Sequence, residues 1–114
     1  MTFGTRVVFD EIRELNAGSI SGSFANLGSP LIDHGRLISI TNSTGAEVYI
    51  SFDGIDNNLR LSSNSFKLLD LCTNKSKDTG LFLSVGTQIH VKFVSTTSAI
   101  GAVWVEIMYG EGGK

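Results

Sequence analysis

His34, His90 and Cys72 are the residues of this chain with the most obvious capacity for metal binding or nucleophilic chemistry, and no other histidine or cysteine is present. A structural or catalytic metal draws several such ligands from short, regular spacings. No H-x-H or H-x-x-x-H pair occurs, and His90 stands between Ile89 and Val91, so both imidazoles are expected at the surface. Cys72 closes an apolar segment, where a thiol is usually a small buried hydrophobe. A nucleophilic thiol needs a lowered pKa, and no histidine is adjacent to supply one. The run Asp53-Gly54-Ile55-Asp56-Asn57-Asn58 concentrates the oxygen ligands that hard cations take. Gly54 directly follows the first aspartate and no glutamate stands at the twelfth position, so this run is expected to be the tip of a hairpin. No acid, base and nucleophile set is legible. The chain therefore reads as a non-enzyme with no metal and no cofactor.

Contact chemistry is easier to find. Tyr49, Trp104 and Met108 fall on the parity opposite the apolar set of their strands, which places them under a loop or at an interface. Near the N-terminus, Phe3, Val7, Val8 and Phe9 are apolar residues that a small core has difficulty reaching, and Arg6 among them is suited to an acidic patch on a partner. Residues 2–9 are read as an attachment arm, with an edge strand of the chain's own sheet as the alternative. Phe3, Arg6, Val8, Phe9, Tyr49 and Trp104 are the candidate partner-binding residues.

The elements that must carry these side chains are strands. Glycine or asparagine punctuates the sequence every eight to twelve residues, and Pro30 is its one proline. In Gly101 to Tyr109, Val103, Val105, Ile107 and Tyr109 alternate with Ala102, Trp104, Glu106 and Met108. Thr87 to Val94 alternates likewise, with Ile89, Val91 and Phe93 on the dry side. Arg36 to Thr41 and Glu47 to Phe52 present Ile38 and Ile40, then Val48, Ile50 and Phe52. The turn formers Thr41-Asn42-Ser43-Thr44-Gly45 between them predict a hairpin. Ser65 to Cys72 carries Phe66 and Leu68 on one parity and Leu69 and Leu71 on the other, which predicts a bulge or a crossing between sheets. Gly18 to Phe24 and Leu81 to Val85 complete seven strands, and Val7 to Leu15 is either an eighth or a helical turn. The expected fold is an all-β, single-domain antiparallel sandwich of jelly-roll type, with seven to eight short strands. Residues 1–10 form its arm, 11–110 the sandwich and 111–114 a flexible tail.

Composition agrees with one such unit. The chain has 114 residues, of which 41% are hydrophobic and 18% charged, which is enough apolar material for one core and leaves a weakly charged surface. A net charge of −2 offers phosphate backbones and anionic lipid no attraction, so direct nucleic-acid binding is not expected. Neither a secretory signal nor a membrane span is read, which implies folding in the cytosol. The sequons Asn42-Ser43-Thr44 and Asn74-Lys75-Ser76 are then turn residues.

The segments Gly18 to Phe24, Gly28 to Leu31, Arg36 to Thr44, Val48 to Gly54, Ser65 to Asp70, Gly80 to Leu83, Gly86 to Lys92 and Val103 to Ile107 resemble, in that order, small β proteins encoded among the virion genes of tailed bacteriophages. The resemblance spans roughly residues 13 to 110 and implies a structural virion component, foremost a capsid decoration or cement protein. Its implied partners are the major capsid protein or other virion subunits, with self-association into a homo-oligomer. A neck, connector or tail accessory protein and a glycan-binding module on a fibre are the alternatives. In the glycan reading, Trp104 or Tyr49 is the sugar-stacking platform.

Overall fold

The computed structural model describes residues 6–32, 35–70 and 84–111. Phe3, His34, Cys72, Asn74 and residues 81–83 of the expected strand Leu81 to Val85 lie outside the described residues. The remainder is an all-β sandwich of two antiparallel sheets. Its strands are β1 (Arg6–Phe9), β2 (Arg13–Asn16), β3 (Ala25–Asn26), β4 (Leu37–Asn42), β5 (Val48–Ser51), β6 (Leu59–Leu61), β7 (Ser65–Asp70), β8 (His90–Phe93) and β9 (Ala102–Glu111). One sheet has the order β1-β9-β4-β7, with β2 also paired to β9, and the other has the order β3-β8-β5-β6. Among the described strands, the chain changes sheet at every connection from β2 to β9 except that between β5 and β6.

Strand alternation sorts the side chains. Ile38 and Ile40 of β4 and Val103, Val105 and Ile107 of β9 face Val48 and Ile50 of β5 and Val91 and Phe93 of β8, and all are buried. Leu27, Leu31, Leu61 and Ile89 belong to the same buried cluster, and Phe52 packs partly against it. Each such side chain contributes about 1.5–3 kcal/mol through removal of apolar surface from water. The parity expected for the core is the parity found.

Several connections differ from the sequence expectation. β4 and β5 do not pair, since β4 lies between β9 and β7 whereas β5 lies between β8 and β6. The segment Asn42 to Gly45 is a corner between sheets and not a hairpin turn. Asn42 shares the inner parity of Ile38 and Ile40, and its buried amide donates to the carbonyls of Ala46 at 2.9 Å and Ser62 at 3.0 Å. Its Oδ1 accepts the N–H of Thr44 at 3.0 Å and the Thr44 hydroxyl at 2.6 Å. These bonds turn the chain inward at the point where a hairpin would fold it back. Gly101, at φ +85°, lets the start of β9 approach this corner so closely that a Cβ would run into the carbonyl oxygen of Ser43.

β7 runs in continuous register with β4, from Leu37 opposite Asp70 to Asn42 opposite Ser65, without the expected bulge or crossing. Leu69 packs on the core, whereas Phe66 and Leu68 point out of the sandwich. Gly18 to Phe24 is not a strand: Ala17–Ser19 forms a single 3₁₀ turn that buries Ala17, and the short β3 follows.

The described part of the expected arm belongs to the fold. β9 is longer than β2 can cover, because β2 pairs only with Ala102 to Val105. β1 takes the remaining edge, with Arg6 opposite Glu111 and Phe9 opposite Met108. The sheet therefore begins before residue 10 and includes Glu111.

Arg13, unremarked in the sequence, is buried on the inner parity opposite Val105. Its guanidinium meets the Asp10 carboxylate at 3.2 Å and donates to the carbonyls of Ser29 at 2.8 Å and Pro30 at 3.2 Å. Gly28, at φ +74°, makes room for it, since a Cβ there would lie 2.5 Å from Arg13 Cγ.

Two substitutions test this packing. Val105→Asp places an unpaired carboxylate in the core and abolishes cooperative unfolding, whereas retained wild-type melting would refute the assignment of faces. Asn42→Ala leaves the buried Thr44 N–H without its acceptor and removes the amide's donations to Ala46 and Ser62, and it lowers stability by about 1–3 kcal/mol in urea titration. A loss below about 0.5 kcal/mol would show that the corner does not depend on the amide.

Candidate interaction surface

The two sheets expose different chemistry on their outer faces. On the β1-β9-β4-β7 sheet, register aligns the outward side chains in rows. One row runs Phe9, Met108, Leu37 and Asp70. The next runs Glu106, Ser39 and Leu68, and a third runs Glu14, Trp104, Thr41 and Phe66. Phe9 is 74% exposed, Phe66 67% and Leu68 57%. A cleft of about 200 Å³ opens between Phe9, Leu37, Ser39, Leu68, Glu106 and Met108. Other exposed apolar side chains, such as Ile32, Ile55 and Ile100, stand on separate loops. Phe9, Leu37, Leu68 and Met108 are adjacent, and adjacency is what marks an apolar contact surface.

Among the described residues this face carries Glu14, Glu106 and Asp70 and no lysine or arginine. Glu106 sits in the wall of the apolar cleft, and among the described residues no cation lies within ion-pair distance of it. Lys67 has the inner parity, opposite Ile40, and is exposed on β7, the last strand in the described order of this sheet.

The outer face of the β3-β8-β5-β6 sheet is aromatic and cationic. Tyr49 lies opposite Arg60 on one side and Lys92 on the other. The Lys92 ammonium is 4.4 Å from the centroid of the Phe24 ring and 5.8 Å from that of Tyr49. The Arg60 guanidinium is 5.9 Å from the Tyr49 centroid and forms a forked pair with Glu47 at 2.8 and 3.0 Å. The Arg60 hydrogen bond holds the Glu47 carboxyl below its ordinary range. Tyr49 is thus a ring already engaged by its neighbours.

The candidate partner-binding residues are therefore not gathered in one place. Phe9 and Trp104 share the outer face of the larger sheet, whereas Tyr49 lies on the opposite side of the sandwich. Val8 is half-buried on the inner parity opposite Tyr109. Arg6 is the first residue of β1, and Phe3 lies outside the described residues. Phe66, Leu68 and Glu106 were not anticipated. Phe66 and Leu68 resemble core residues in sequence, and only the register of β7 against β4 turns them outward.

The oxygen-rich run Asp53 to Asn58 is the tip of the β5-β6 hairpin, and it uses its own oxygens. Asp53 Oδ1 accepts the N–H groups of Ile55 at 2.8 Å and Asp56 at 2.9 Å and the Ser51 hydroxyl at 2.8 Å. The Asn58 side chain accepts the N–H of Phe52 at 2.8 Å. Among the described residues, no three His, Cys, Asp or Glu side chains are grouped to hold a metal ion. Gly54, at φ +75°, packs this loop against His90, where a Cβ would stand 3.0 Å from Nε2.

No family model, curated protein or solved structure matches this chain.

The bonds to Asp53, first from Ile55 and then from Asp56, lower its pKa from 3.8 to about 2. Because the folded value is depressed, the stability it contributes is complete above pH 3.8 and is lost as pH falls through about 2. The difference in urea midpoint between the wild type and Asp53→Asn is expected to hold from pH 7 down to about 3.8 and to shrink between there and about 2. A difference that widens on acidification would contradict the assignment.

Proposed function

We propose that this chain is a non-enzymatic structural protein of a tailed-phage virion, a capsid decoration protein that bridges neighbouring major capsid subunits and stabilises the head. The observation that carries this reading is the contiguous apolar face of Phe9, Leu37, Phe66, Leu68 and Met108, with Trp104 beside it. Water makes such a face costly to leave uncovered, and a partner subunit relieves that cost. Resemblance to phage virion proteins supports the same assignment. So does the strand order, since two four-strand paths entered alternately by the chain fit a jelly roll. The proposed location is the virion, with assembly in the host cytoplasm. Individually weak contacts, repeated over a shell and reinforced by self-association, hold the protein in place by avidity. A net charge of −2 is consistent with contact to protein and not to the packaged DNA.

Gel quantitation of purified virions tests this proposal. Hundreds of copies per particle are expected. Six, twelve or a few dozen would reassign the chain to a neck, connector, tail or fibre. Heads lacking the protein should lose DNA on mild heating and recover tolerance when it is added back, whereas heads indifferent to it would rule out a stabilising role.

A further inference from the structure

We infer that the occupant of the cleft on the larger sheet is a lysine or arginine side chain of the capsid subunit, entering between Phe9 and Leu68 with its charged head on Glu106. The inference rests on the capsid-binding reading and adds the chemistry of the contact.

Any partner that covers Phe9, Leu37, Leu68 and Met108 also removes Glu106 from water, because Glu106 lines the same cleft. A carboxylate buried at an apolar interface without a counter-charge opposes binding, because its lost hydration is not replaced. Among the described residues the face bears Glu14 and Glu106 beside the cleft and no cation. The partner must supply it. A lysine or arginine fits both parts of the site, its methylene stem lying along the apolar walls while its head reaches the carboxylate. Ser39 lies opposite Glu106 in the same cleft and offers a second oxygen to the incoming group.

The same charges argue against a second copy as the occupant. Two such faces brought together would bury carboxylates from both chains in one apolar contact, and like charges at an interface are repulsive. The partner surface is accordingly basic at its centre and apolar around it, complementary to this face in charge and in polarity.

The test is co-sedimentation of the purified protein with heads stripped of it, comparing wild type, Glu106→Gln, Glu106→Lys and Leu68→Ala. Removing one partner of a charge pair at an interface is expected to weaken binding at least about tenfold for Glu106→Gln, and further for Glu106→Lys. Leu68→Ala should weaken it by a smaller factor. Circular dichroism verifies that each variant is folded. If wild type binds and Glu106→Lys binds equally well or better, the inference is overturned while the decoration role stands. If wild type binds no heads, the role itself fails and this occupant fails with it. A concentration-dependent dimer that tightens with Glu106→Gln and weakens with Leu68→Ala would instead assign the cleft to a second copy.

Discussion

The side-chain amide of Asn42 fixes the corner on which the two-sheet arrangement depends. Apolar burial alone would hold Ile38, Ile40, Val48 and Ile50 together in many ways, because the hydrophobic effect has no direction. Hydrogen bonds have direction. By donating to Ala46 and Ser62 and accepting from Thr44, Asn42 ties the end of β4 to the beginning of β5 and to the segment after β6. Three consecutive parts of the chain are thereby referred to one fully buried group. Gly101 adds β9 to the same place by allowing backbone to approach backbone at Ser43. Arg13, opposite Val105 of β9, binds the loop before Leu31 to β2.

The inner layer was legible from the sequence because alternation is a local property. Val103, Val105 and Ile107 announce a face without reference to anything else in the chain, and so do Ile89, Val91 and Phe93. Pairing is not local, and there the sequence was silent. Thr41-Asn42-Ser43-Thr44-Gly45 has the composition of a hairpin turn and of a sheet-crossing corner alike. What separates them is whether the Asn42 amide finds carbonyls inside the sandwich, and one of those carbonyls, that of Ser62, is supplied from another part of the chain. Phe66 and Leu68 were unreadable for a related reason. Two large apolar residues at strand spacing signify burial unless the strand is placed so that the other parity, Leu69, meets the core. The arm is the same lesson in reverse. Nothing in Arg6 to Phe9 reveals that β9 extends beyond β2 and leaves an edge to be filled.

The contrast between the outer faces gives the molecule a direction. One side joins Phe24, Tyr49, Lys92, Arg60 and Glu47 in contacts among themselves, so its polar groups are largely satisfied within the chain. The other leaves aromatic and aliphatic side chains uncovered around a carboxylate without a partner cation among the described residues. A satisfied face is suited to solvent, and an unsatisfied one to a neighbour. For a protein applied to the outside of a shell, this asymmetry would direct the β1-β9-β4-β7 sheet toward the capsid and the outer face of the β3-β8-β5-β6 sheet away from it.

Covalent footprinting of the protein free in solution and in purified virions, read residue by residue by mass spectrometry, tests that orientation most directly. Phe9, Phe66, Leu68 and Met108 are expected to lose labelling in the virion while Tyr49 and Ile55 are labelled as in the free protein. Equal labelling of the apolar face in both states, with protection at Tyr49 and Ile55, would contradict the central claim and move the contact to the opposite sheet.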